Sequence, residues 1–178
     1  MYPVLRFAKE VLSNRRAART GLFDTHVTRH LIWPVDIDMW MELNNGRTLT
    51  LYDLGRMILG QRAGLLAALR RNRWGMTMAG ACVRYRRRIR MFEVIEMRSR
   101  AVCWDDRFIY IEQSMWKKDG ECANHIVYRT AITDRNGIVA PQIVARDIMG
   151  EAPDTPIPDW IATWIAAETQ RPWPPMQD

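Results

Sequence analysis

Nowhere in its 178 residues does this chain run for the roughly 20 apolar positions that cross a bilayer. Its N-terminus, "MYPVLRFAKEVLSNRRAAR", interrupts its apolar stretch with Lys9 and Glu10, unlike a secretory leader. Cysteine is scarce. Cys82, Cys103 and Cys122 lie far apart without CxxC spacing, and an odd count closes no disulfide framework. This argues against a zinc ribbon and for a reducing, cytoplasmic setting. His26, His30 and His125 share no metal-ligand spacing, and HExxH, GxSxG, GxGxxG and phosphate-loop motifs are missing. Metalloprotease, serine-hydrolase and dinucleotide chemistry therefore lack their signatures, and neither a metal nor an organic cofactor is expected.

Lysine and locally placed acids are also scarce. Of 26 basic residues, 23 are arginine. Residues 62–100 hold 11 arginines against two acids, Glu93 and Glu96. Such density suits a phosphate-bearing partner such as nucleic acid, a CoA ester or an anionic membrane, and equally a solvated basic face. No RNA-reading motif is present, and Tyr85, Tyr110 and Tyr128 fall on strand patterns that suit a core. Nucleic acid is not expected as a partner. With 48% hydrophobic and 26% charged residues, the chain reads as one globular domain over 1–178.

Residues 3–19 are basic and amphipathic, with Val4, Leu5, Ala8, Val11 and Leu12 at helical spacing. They predict a helix that packs on the domain or makes weak peripheral contact with anionic lipid. Residues 25–37 read as a strand with an edge position or bulge at Pro34. From Gly46 the period changes. Thr48, Leu51, Tyr52, Gly55, Ile58, Leu59 and Arg62 mark one face of a helix reaching about Leu69, with a break near Gly64. Gly55 suits close approach of a neighbouring backbone. A meander of strand-like runs follows, punctuated by "KKDG" and "DRNG" turns, and "IVAPQIV" reads as its last strand. Residues 159–169 predict a short C-terminal helix capped by Asp159, ended by "RPWPP". This order predicts an α+β hotdog fold: a five- to six-stranded antiparallel sheet wrapped around a long central helix.

The unusual segment is "DIDMWMELNNGRTLTLYDLGR", residues 36–56. Read as the end of a strand, Asp36 and Asp38 share one side. Asn45 is a natural N-cap, and "NNGR" is where free backbone N–H groups and a positive dipole end should lie. Gly46 would let a substrate approach the backbone. Asp38 is a candidate catalytic carboxylate or a turn aspartate. Glu42 is a candidate base or a solvated loop residue. Met39, Trp40, Met41 and Leu43 suit an acyl pocket, a subunit interface or ordinary core. Asp53 and Arg56, three apart, can pair. Arginines 84, 86, 88 and 90 alternate on one strand face, either solvated or contacting CoA phosphates.

The segment resembles the hotdog thioesterases of the 4-hydroxybenzoyl-CoA thioesterase-like group, many of which carry DxDxxxHxNNxxY followed by a helical acid and arginine. Asp36, Asp38, Asn44, Asn45, Tyr52, Asp53 and Arg56 match, most clearly within residues 26–134. Two positions depart: Glu42 stands where the family has histidine, and Thr48 where it has tyrosine. The resemblance implies an acyl-CoA thioesterase working as a homodimer or dimer of dimers with sites between subunits. It points to Asp38 as the catalytic carboxylate; Asn45, Gly46 and Glu42 are candidate catalytic residues beside it, and Trp40, Asn44, Arg47, Tyr52, Arg86 and Arg88 are candidate substrate contacts. The departures keep a non-catalytic acyl-CoA or lipid binder open as the alternative.

Overall fold

The computed structural model describes residues 3–176. Helix α1 (Val4–Asn14) precedes strand β1 (His26–Leu31), then come α2 (Asn45–Arg62) and α3 (Leu65–Asn72). Strands β2 (Gly75–Tyr85), β3 (Val94–Trp104), β4 (Ile109–Trp116), β5 (Cys122–Asp134) and β6 (Gly137–Val139) follow. Helices α4 (Pro141–Met149) and α5 (Asp159–Gln170) complete the order. The strands form one antiparallel six-stranded sheet, β1-β3-β4-β5-β2, with β6 paired to β5.

Helix α2 lies against one face of this sheet as the sausage of a hotdog fold. Leu51, Tyr52, Leu54, Ile58 and Leu59 are buried. At about 2 kcal/mol per fully buried side chain, they contribute on the order of 10 kcal/mol before the entropy of ordering. Gly55 allows the close approach. A Cβ there would meet Met97 Sδ, Ser99 Oγ at 2.9 Å and Gln113 Nε2 at 3.1 Å. Gly64 turns the chain with φ +86°, separating α2 from α3. On the opposite face, Ile161 of α5 packs with Cys103, Tyr110 and Val127, so the sheet is sandwiched between helices.

Three local expectations are corrected. Strand β1 stops at Leu31, and Pro34–Asp36 forms a 3-10 turn. Pro34 cannot donate to a ladder, and Asp36 Oδ2 accepts the Trp33 N–H at 2.9 Å, closing the turn. Asp36 and Asp38 therefore share no strand face. The arginine alternation ends with β2 at Tyr85. The N–H groups of Arg86 and Arg87 both reach the Ala123 carbonyl, at 2.9 and 3.0 Å, so the chain leaves the ladder there. "IVAPQIV" splits into β6 and α4, because Pro141 suits the first turn of a helix. Finally, α1 buries Glu10 and exposes Val4, Leu5 and Leu12, with Leu5 88% exposed. The helix packs on the domain through Phe7 and Glu10, and the stripe of Val4, Leu5 and Leu12 faces away.

Candidate active site

The segment between β1 and α2 is a small hairpin. Ile37 and Leu43 form an antiparallel bridge. Asp38 N–H donates to the Glu42 carbonyl at 2.9 Å, and Met41 N–H to the Asp38 carbonyl at 3.1 Å. Asp38 Oδ1 accepts the Trp40 N–H at 2.9 Å, an Asx turn that shapes the tip. Met39, Trp40 and Met41 are exposed at that tip, Trp40 by 72%, while Leu43 is buried. Asp38 and Glu42 thus face each other across the base of the hairpin.

The base is fixed by Asp36, which is buried. Arg6 of α1 approaches its Oδ2 at 2.7 Å, and Arg47 of α2 donates to its Oδ1 through Nε at 3.0 Å and Nη2 at 2.8 Å. Burial pushes this carboxyl up, but the bonds from Arg6, the Trp33 N–H and Arg47 outweigh it and hold Asp36 below the usual carboxylate range. The first turn of α2 is capped by Asn44, not Asn45. Asn44 Oδ1 accepts the N–H groups of Gly46 at 2.9 Å and Arg47 at 3.2 Å. Asn44 has the extended backbone of an N-cap, while Asn45 is already helical.

At this helix start opens a cavity of about 300 Å³, lined by Glu42, Asn45, Thr48, the arginines 86–88 and Asn124 among others. The hairpin supplies a carboxylate, α2 supplies its N-terminus, and the segment after β2 supplies a cationic wall. Glu42 is 30% exposed and pairs with Arg88 Nε at 3.0 Å. Four expected site residues, Glu42, Asn45, Arg86 and Arg88, meet here. Asp38 stands beside Glu42 in the hairpin but is not among the lining residues, and neither are Trp40, Asn44, Gly46 and Arg47. Tyr52 is buried behind the cavity wall, where its hydroxyl donates to Asn124 Oδ1 at 2.5 Å. Farther along α2, Arg56 pairs with Asp53 and lies 4.1 Å from the centre of the Tyr128 ring, inside the core.

Asn124 is the lining residue that sequence reasoning missed. The only sequence signal was a polar residue at an inward position of an otherwise apolar strand, "CANHIVY".

The fold recurs in known proteins. The chain is 38% identical over 92 residues to Protein THEM6 of Xenopus laevis, covering 52% of this chain and 44% of that one. It therefore spans less than half the length of that curated relative. In fold it resembles a putative oleoyl thioesterase from Lactobacillus plantarum, with TM-score 0.65 and 15% identity over 76% of this chain and 54% of the other. It also resembles a hypothetical Staphylococcus aureus protein solved in complex with CoA, with TM-score 0.60 and 10% identity over 81% and 96% of the two chains. Residues 32–165 match the family described as the thioesterase-like superfamily, and the chain belongs to that family.

Proposed function

We propose that this protein is an acyl-CoA thioesterase that hydrolyses its thioester in the cavity at the start of α2. The observation that carries the reading is the convergence of Glu42, the α2 N-terminus at Asn45 and the arginines 86–88 on one cavity. Water attack on a thioester needs a carboxylate to take the proton and donors for the developing oxyanion. The arginines suit the phosphates of CoA. Two carboxylates serve the reading: Asp38 matches the family's catalytic aspartate, and Glu42 lines the cavity. The Asn45 N–H and the dipole of α2 polarise the carbonyl, with Gly46 leaving room beside them.

The test is release of free thiol from acyl-CoA esters of varied chain length, including aromatic acyl groups. Asp38→Asn and Glu42→Gln are measured beside the parent. Loss of turnover in one of them assigns the base, and full turnover in both sinks the mechanism. Binding of acyl-CoA without thiol release would instead favour a non-catalytic binder, the reading supported by the Glu42–Arg88 ion pair that occupies the carboxylate.

The same reading includes a homodimer or dimer of dimers in a reducing, cytoplasmic setting. Among the described residues, strand β2 pairs only with β5 and leaves a long edge open to a second copy. All three cysteines are free thiols. The reading also includes peripheral contact between α1 and an anionic bilayer. Its outward face carries Val4, Leu5 and Leu12 beside exposed Lys9, with Arg15, Arg16 and Arg19 following, while its one acid, Glu10, is buried. A second copy would meet this face with like charge, whereas an anionic headgroup layer complements it. Exposed Trp33, 5.9 Å from Arg6, extends the patch. Cosedimentation with anionic but not zwitterionic vesicles is expected, and equal behaviour with both would remove the lipid contact.

A further inference from the structure

The start of α2 has few donors to spare. Asn44 Oδ1 occupies the Gly46 and Arg47 N–H groups. The Thr48 N–H and hydroxyl both go to the Asn44 carbonyl, at 2.8 and 3.1 Å. Among the described residues, this leaves the Asn45 N–H as the one amide of the turn without such a bond. A tetrahedral oxyanion is stabilised best by more than one fixed donor.

The wall of the same cavity holds another. Asn124, near the start of β5, is only 3% exposed yet lines the cavity. Its Oδ1 accepts the Tyr52 hydroxyl at 2.5 Å. The Tyr52 hydroxyl has one proton, and of its two acceptors Asn124 Oδ1 is much the nearer, the Asn124 backbone carbonyl lying at 3.3 Å. Burial raises the Tyr52 pKa far above its ordinary value, which keeps that proton in place. The amide is therefore oriented, with Oδ1 toward Tyr52 and Nδ2 on the other edge. Nδ2 has no hydrogen-bond partner among the described residues, and it is not one of their sealed, unpartnered polar atoms. Its free edge opens on the cavity.

We propose that Asn124 is a catalytic donor whose Nδ2 holds the thioester carbonyl oxygen, with Tyr52 as the positioning residue that orients it. This rests on the thioesterase reading. As the water oxygen bonds to the carbonyl carbon, its proton passes to the hairpin carboxylate. The carbonyl π pair moves to oxygen, facing Nδ2 and the Asn45 N–H. The pair then returns, the carbon–sulfur bond breaks, and the sulfur leaves with the proton from the carboxyl, giving acid and thiol.

The experiment uses Asn124→Ala, Asn124→Asp and Tyr52→Phe in the full chain. Asn124→Asp keeps the shape and replaces the donor by an acceptor, while Tyr52→Phe keeps the ring in the core. In each, kcat should fall, by about 100-fold for the two Asn124 variants, with little change in KM. A parallel assay compares binding of two stable analogues: the ketone with CH₂ in place of sulfur, and the thioether that lacks the carbonyl. The parent should prefer the ketone, and Asn124→Ala should erase the preference. Turnover retained in Asn124→Asp, or a ketone preference retained in Asn124→Ala, overturns the donor role. A parent that hydrolyses no acyl-CoA yet shows the preference defeats the thioesterase reading alone, and a parent with neither defeats both.

Discussion

Helix α2 seats through apolar side chains and a glycine, whereas α1 seats through Arg6 and Glu10 beside a single apolar anchor, Phe7, and turns its leucines outward. The first contact is mainly one of shape, with a titratable edge where Arg62 Nη1 meets His26 Nδ1 at 2.6 Å. The second is ionic: Arg6 reaches Asp36 and also donates to the Leu31 carbonyl at 3.0 Å, and Glu10 stands 4.0 Å from His30 Nδ1. Both seats meet at Arg47, which belongs to α2 and shares Asp36 with α1. The candidate site hangs from that junction, so its hairpin depends on a rigid core on one side and an ionic clasp on the other.

Breaking the shape contact should cost most. Gly55→Val places methyl groups against Met97, Ser99 and Gln113. Gln113 Nε2 donates to the Tyr52 carbonyl at 2.9 Å and to Ser99 Oγ at 2.7 Å, so the intrusion also breaks a buried network. Overpacking together with unsatisfied polar groups should cost about 4 kcal/mol and lower Tm by on the order of 10 °C. Calorimetry that finds an unchanged Tm would show that α2 does not approach β3 and β4 this closely.

The clasp comes next. Asp36→Ala removes the buried carboxylate shared by Arg6 and Arg47 and the acceptor for the Trp33 N–H. The expected loss is about 3 kcal/mol, because a broken buried pair leaves charge uncompensated. Urea unfolding measures it. The hairpin should loosen as well, so amide exchange of residues 37–43 should rise more than that of β4.

These contrasts also explain what was legible in the sequence. The α2 face followed from apolar period, and Gly55 from its cost in a helix. The "DG" and "NG" turns appear with Gly120 at φ +87° and Gly137 at φ +124°. Position along the chain also put Glu42 and Asn45 in one loop, while only the fold brings Arg86 and Arg88 to the same cavity. The rest depended on partners that local pattern does not report. Asn124 acquires its role from Tyr52, 72 positions away. Asn44 rather than Asn45 caps the helix because of one residue's backbone angle, a difference within the ordinary uncertainty of a helix boundary. The facing of α1 was not legible, because amphipathicity fixes a stripe but not which side meets the protein. Buried Asp36 selected the arginine side.

Acid should act on both seats through their histidines, His26 beside Arg62 of α2 and His30 beside Glu10 of α1. Burial, with Arg62 nearby, pulls His26 down to about 4, and burial with Arg6 and Lys9 pulls His30 down to about 4. A base with a depressed folded pKa resists protonation only in the folded state. Its contribution is therefore complete above the ordinary value of 6.5 and is lost as pH falls toward 4. Asp36, also depressed, adds a loss below its ordinary 3.8, whereas Glu10, raised by burial, opposes the slope because the folded state takes its proton first. Stability should thus decline from pH 6.5 to 4 and be flat above 6.5, up to the alkaline range where Cys103 and the buried tyrosines, raised by burial, begin to lose protons in the unfolded chain. The decline should be shallower in His30→Gln. A parent profile as flat as that of the variant would mean that His30 protonates freely in the folded state.

The smallest effect tests the outward face of α1. Leu5→Glu with Leu12→Glu changes two leucines that already lie in water, so stability should stay within about 0.5 kcal/mol of the parent. The same pair should abolish cosedimentation with anionic vesicles, because it removes apolar anchors and introduces acid beside Lys9, Arg15 and Arg16. A large fall in Tm would place the leucines in the interior and reverse the facing of the helix. Burial of Arg6 and Glu10 would then have to be explained by some contact other than Asp36 and His30, which the Asp36→Ala experiment measures separately.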